Sequence, residues 1–226
     1  MDKVTYSSDT TARAPGADLT VARHNLAATG NSTHGYFGGG GYPSPLYSLI
    51  EKVTYSTDTT AAIPTANFGT TRNRFAATGN STHGYFGGGR PNTTTMDKVT
   101  YASDTTAAVP GANLSVGRTA PAATGNSSSG YFGGGSLPGD TSTMDKTTYS
   151  SDTTAAVPGA NLSVARSYLA ATSSRANALP QPPTPTPTSQ TGLIPVGYDT
   201  GYFGGGSPGP VSTMDKLSYS SETLSY

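Results

Sequence analysis

An all-β fold of tandem four-stranded units is the class this sequence predicts, and three observations predict it. The phrase Gly-Tyr-Phe-Gly-Gly-Gly stands at residues 35–40, 84–89, 130–135 and 201–206. From Arg23 to Tyr36, Arg72 to Tyr85 and Arg118 to Tyr131 the spacing is 13 residues each time. No stretch longer than a turn has helical spacing, and glycine and proline interrupt the chain throughout its 226 residues. A fixed period of this size marks a repeat architecture, in which each unit stacks on its neighbours.

Each unit breaks into elements in the same order. Val4-Thr5-Tyr6 alternates apolar and polar residues with β-branched side chains, which favours an extended strand. It runs through Asp9-Thr10-Thr11 and stops at Pro15-Gly16. Leu26-Ala27-Ala28-Thr29 is a second, small-residue strand whose side chains let a neighbouring backbone come close. Gly30 to Gly35 forms the hairpin turn into Tyr36-Phe37, and the glycines at 38–41 free the backbone where that strand ends. The later copies repeat this around Tyr55, Tyr101 and Tyr149, in steps of 49, 46 and 48 residues. In the fourth copy the distance from Arg166 to Tyr202 grows to 36 residues, and a Pro/Thr-rich insertion at 173–200 is expected as an exposed loop.

Composition limits the functions open to such a chain. Formal net charge is zero with no clustered Lys or Arg, so nucleic acid is not an expected partner. Cysteine is absent, which removes disulfides and thiolate metal sites. No apolar run is long enough for a bilayer, and no apolar leader follows Met1, so membrane insertion and signal-directed export are not expected. Met1-Asp2-Lys3 repeats the wording of Met96-Asp97-Lys98, Met144-Asp145-Lys146 and Met214-Asp215-Lys216, so Met1 reads equally as an internal methionine. Leu, Ile, Val and Phe number only 31, and the 14 tyrosines at recurring places are expected to supply the buried area that aliphatics do not.

Four short strands per unit, with a small-residue strand first and a glycine-rich exit from the second, is what one blade of a β-propeller requires. The expected division is a half blade at 1–15 and blades at about 19–62, 68–108, 114–156 and 162–226. Arg23, Leu26 to Thr29, Tyr36-Phe37, Gly38-Gly39 and Tyr55 together resemble the kelch repeat. The fourth-strand tryptophan of that repeat is missing, and Thr59-Thr60-Ala61-Ala62 stands there instead. The wording is similar to kelch-like arrays in virion structural proteins of tailed phages infecting aquatic bacteria. That resemblance implies a phage tail or fibre component in an extracellular particle, contacting other virion subunits, itself or a host-surface glycan. The alternative is a secreted or cell-surface bacterial filament or adhesin subunit that assembles by strand exchange and carries glycans. Five Met-Asp-Lys-type strand pairs face only four hairpins, so the propeller is expected to be incomplete or closed by another chain.

No enzyme, metal or cofactor is expected. The residues expected to carry the repeat are Tyr36, Phe37, Gly38, Gly39, Tyr85, Phe86, Gly87, Gly88, Tyr131, Phe132, Gly133, Gly134, Tyr202, Phe203, Gly204 and Gly205. Arg23, Arg72, Arg118 and Arg166 either line one face, where they would bind anions or glycans, or hold blades together by hydrogen bonds. His24, His34 and His83 read as solvated turn residues rather than metal ligands or bases. Asp9, Asp58, Asp104, Asp152 and Glu222 read either as a ring of carboxylates or as ordinary side-chain-capped turns. Asn31, Asn80, Asn92, Asn113, Asn126 and Asn161 begin Asn-x-Ser/Thr triplets, which in so Ser/Thr-rich a chain arise mostly by composition.

Overall fold

The computed structural model describes residues 1–41, 44–173, 200–209 and 212–225. It is all-β, with four antiparallel four-stranded sheets and a two-stranded one at the start. The half sheet pairs β1 (Asp2–Thr5) with β2 (Thr10–Arg13). The first sheet contains β3 (Ala27–Gly30), β4 (His34–Gly38), β5 (Ile50–Thr54) and β6 (Thr59–Ala62). The second contains β7 (Ala76–Gly79), β8 (His83–Gly87), β9 (Met96–Thr100) and β10 (Thr105–Ala108). The third contains β11 (Ala122–Gly125) and β12 (Ser129–Gly133), a small hairpin of β13 (Ser136–Leu137) and β14 (Gly139–Asp140) outside the sheet, then β15 (Met144–Thr148) and β16 (Thr153–Ala156). The fourth contains β17 (Ala170–Ser173), β18 (Thr200–Gly204), β19 (Met214–Ser218) and β20 (Thr223–Ser225). Most of the expected insertion lies outside the described residues.

Register is the same in every sheet. Thr29 pairs with Tyr36, Tyr36 with Lys52, and the second and third sheets repeat this as Thr78, Tyr85, Lys98 and Thr124, Tyr131, Lys146. Laterally paired residues point to the same side of a pleated sheet, so each unit presents a Thr-Tyr-Lys row on one face. That row is covered by the next sheet. Tyr36 stacks on Tyr101, Tyr85 on Tyr149 and Tyr131 on Tyr219, with ring centroids 4.7, 4.8 and 4.9 Å apart.

The expected stop at Pro-Gly is a turn of 3-10 helix, seen at Pro15–Ala17, Pro64–Ala66, Pro110–Ala112 and Pro158–Ala160. Proline fits the first position, where its missing N–H costs nothing. Each of these turns packs against the fourth strand of the next sheet, while first strands lie directly on one another, β3 on β7, β7 on β11 and β11 on β17. The stack is therefore tight at its first strands and filled by 3-10 turns at its fourth. Close approach explains Gly84: a Cβ there would sit 2.5 Å from Thr29 Cγ2 and 2.8 Å from the Tyr101 hydroxyl. The apolar interior is divided into slabs between sheets, one around Phe68, Phe75 and Phe86, one around Leu114 and Phe132, one around Leu162 and Phe203.

Candidate functional site

In the first three sheets the repeat-carrying tyrosines are taken up in this packing, whereas Phe37 and Tyr202 are only partly buried and a Cβ on Gly205 would meet nothing within 4 Å. Phe86, Phe132 and Phe203 are wholly buried, as are Tyr36, Tyr85 and Tyr131 to within one per cent. The hydroxyls of Tyr36 and Tyr85 donate to Asp104 and Asp152, each at 2.6 Å, in the turn of the following sheet. Lys52, Lys98 and Lys146 pair with Asp104, Asp152 and Glu222 from the same side, and Lys3 with Asp58 at 2.8 Å. These carboxylates bind from one sheet to the next. They neither converge in a ring nor cap their own turns.

Burial alone would raise Asp104 and Asp152, but hydrogen bonds from the lysine and the tyrosine outweigh it and hold both below the usual carboxylate range. Burial, with the neighbouring carboxylate, pushes Tyr36 and Tyr85 far above an ordinary tyrosine. The repeated Asn-Ser-Thr and Asn-Ser-Ser triplets are also structural: Asn31, Asn80 and Asn126 accept backbone N–H groups two and three residues on, fixing the hairpin turn.

The arginine side chains do not line a face. Arg23 pairs with Glu51 and Arg72 with Asp97, both at 2.5 Å, Arg118 with Asp145 at 2.7 Å, and Arg166 with Asp215. All eight side chains are at most two per cent exposed. Each arginine also donates to the carbonyl of its own sheet's phenylalanine, as Arg118 does to Phe132 at 3.0 Å. In the second sheet, withdrawal from water outweighs mutual attraction, so Asp97 lies above its ordinary value and Arg72 below. The arginine main chains do join units: Gly40 N–H donates to Arg72, Gly89 to Arg118 and Gly135 to Arg166. Gly88 at φ +75° lies beneath that joint, where a Cβ would stand 2.8 Å from the Arg118 carbonyl oxygen.

With the packing residues assigned, the positions that differ between copies stand out. After each arginine the chain reads His24-Asn25-Leu26, Asn73-Arg74-Phe75, Thr119-Ala120-Pro121 and Ser167-Tyr168-Leu169. Antiparallel topology puts these segments at the same end of the stack as the loops after the glycines, and bridges Asn73–Arg90, Thr119–Ser136 and Ser167–Ser207 tie the two together. Asn25, Arg74, Ala120 and Tyr168 all have left-handed backbone, φ 53° to 57°. Such a conformation strains non-glycine residues by about 1 kcal/mol or more. A chain of hydrogen bonds across four sheets holds it: Arg74 N–H to Asn25 carbonyl at 2.9 Å, Ala120 to Arg74 at 2.6 Å, and Tyr168 to Ala120 at 3.0 Å.

The result is a depression of about 250 Å³ lined by Asn25, Leu26, Arg74, Phe75, Ala120, Pro121, Tyr168 and Leu169. Each sheet contributes two consecutive residues. The Arg74 guanidinium lies 5.3 Å from the Tyr168 ring centre, a cation over an aromatic face, and Tyr168 is half exposed. The floor is apolar, and the rim carries an amide, a guanidinium and a phenol. Its titratable side chains are the Arg74 guanidinium and the Tyr168 phenol. His34 and His83 lie at the opposite end, each 2.8 Å from a threonine hydroxyl, and no cluster suited to a metal ion occurs among the described residues. Sequence reading passed over this depression because four of its residues, Asn25, Arg74, Ala120 and Tyr168, do not repeat. The available signal was their clustering immediately after each arginine. Comparison with protein-family models and with curated proteins returns no match for this chain.

Proposed function

We propose that this chain is a non-enzymatic structural and adhesive repeat protein whose sheets are blades of a kelch-like β-propeller, serving as a phage tail or fibre component. The observation that carries the reading is the division of labour along the repeat. The recurring tyrosines, lysines and turn carboxylates join one sheet to the next and the recurring arginines are buried within their own sheets, while four differing residues, Asn25, Arg74, Ala120 and Tyr168, meet in one depression. A scaffold that varies at one place is suited to recognition. The tight first strands and wedged fourth strands support the blade assignment.

A guanidinium, an amide and an aromatic ring above an apolar floor suit a hydroxylated, acidic ligand, and a host-surface glycan carrying acidic sugars is the substrate class proposed. A panel of bacterial surface glycans immobilised on an array tests it. Selective binding, weakened at least about tenfold by Tyr168→Ala and by Arg74→Gln, is expected, the size of one lost polar or stacking contact. Binding that neither substitution changes would refute the assigned site. A second reading, a subunit of an extracellular bacterial filament, draws on the two end sheets, whose outer faces no described residue covers.

A further inference from the structure

The joint between sheets is built three times in full. A second-strand tyrosine stacks on the tyrosine that follows the next sheet's third strand, and a third-strand lysine pairs with the carboxylate three residues further on. First-strand threonines complete it, Thr29, Thr78 and Thr124 lying 3.2, 3.1 and 3.3 Å from the hydroxyls of Tyr101, Tyr149 and Tyr219. At the two ends of the stack the two halves of this joint stand separately.

The fourth sheet has the same register, Thr172 with Tyr202 and Tyr202 with Lys216. Among the described residues nothing covers this row. Thr172 and Lys216 are exposed, Tyr202 is partly so, and Met214 is 59 % exposed where Met96 and Met144 are at 0 %. At the other end Tyr6 is 89 % exposed, and Asp9 has φ 51°, the same backbone as Asp58, Asp104 and Asp152. Asp9 is exposed, and among the described residues no cation pairs with it. One end presents a threonine, a tyrosine and a lysine with no carboxylate paired to it among the described residues; the other presents the tyrosine and carboxylate that such a row receives.

We propose that the outer face of the fourth sheet binds residues 1–13 of a second copy of this chain, head to tail, with Tyr202 stacked on Tyr6 and Lys216 paired with Asp9. The Tyr202 hydroxyl then donates to Asp9, and Thr172 meets the Tyr6 hydroxyl. This deepens the structural reading above and rests on it, but not on the glycan site. The half sheet brings only its two strands, so the depression of about 260 Å³ beside Gly204, Gly205 and Met214 receives no counterpart of Phe203, which packs over Gly133. Association is therefore reversible, with a dissociation constant on the order of micromolar.

Sedimentation velocity of the full chain, from about 1 to 200 μM so as to bracket that constant, tests the proposal. The expected result is a mass that rises with concentration. Lys216→Glu and Asp9→Lys, both at exposed positions, should each weaken association more than about tenfold by placing like charges opposite one another. Mixing the two variant chains in equal amounts should restore it, because each then presents the charge the other lacks. A mass that stays at one chain throughout, single variants that associate as the parent does, or a mixture that fails to recover would each overturn it. Glycan binding is read separately and is not moved by any of these outcomes.

Discussion

Replacing Arg118 by leucine removes the cation from a pair that is wholly inside the protein. Among the described residues Asp145 then keeps the Ser115 N–H, at 3.2 Å, as its donor. At 2.7 Å and an effective dielectric constant of about 20, the lost attraction is about 6 kcal/mol. Part of it is returned because the guanidinium no longer has to leave water, and a stranded buried charge typically destabilises by about 3–5 kcal/mol. For a chain of this size about 4 kcal/mol corresponds to a fall in melting temperature of roughly 8–16 °C. The double variant Arg118→Leu/Asp145→Leu leaves no charge behind and should recover to within about 1–2 kcal/mol of the parent. Guanidinium denaturation followed by circular dichroism measures both, with calorimetry to check that the array still unfolds in one step. If Arg118→Leu costs less than about 1 kcal/mol, or the double variant is as unstable as the single, the pair is not the buried, mutually dependent unit described above.

Two further outcomes follow from the joints between sheets. Gly84→Ala should destabilise by about 1–3 kcal/mol, because its new methyl meets Thr29 and the Tyr101 hydroxyl, and Thr29→Ser in the same chain should relieve part of that; denaturation midpoints of the parent and the two variants decide it. His83 is held below the ordinary histidine value, first by burial and then by Lys98, so below about pH 6.5 the unfolded chain takes up a proton that the folded chain resists. Stability should therefore fall as pH drops through that region. His83→Ser, the residue the third copy has at 129, should flatten the fall in a series of denaturation curves between about pH 7 and pH 5.

How far the sequence could be read depended on whether a residue's partner was local. The strands were legible, since alternation around Val53 and Val99 and the constant spacing from arginine to tyrosine are properties of one unit. The joints were not. Lys52 and Asp104 are 52 residues apart, and Ser-Asp-Thr-Thr looks like a self-capped turn until a neighbouring sheet is placed beside it. The arginines were noticed, but their acidic partners sit inside Met-Asp-Lys-type strands, where Asp97 lies two residues before Val99 and so shares its buried face, a place where an acidic side chain is not looked for. Recurrence of one arginine and one acid per unit, in a chain of zero net charge, was the signal that could have paired them. Left-handed backbone at Ala120 and Tyr168 has no local cause, because neither residue favours it; only the hydrogen bonds across sheets impose it.

The interchangeable joint has a consequence for how such a chain can change over time. Because each sheet offers its neighbour the same tyrosine, lysine and threonine, an in-frame duplication of one unit inserts a piece that fits on both sides, and a deletion leaves compatible surfaces behind. Recombination between near-identical units can lengthen or shorten the stack without any compensating substitution. Each added unit also brings one more residue to the row of Asn25, Arg74, Ala120 and Tyr168, so a gene that grows by copying itself enlarges its recognition surface in the same step.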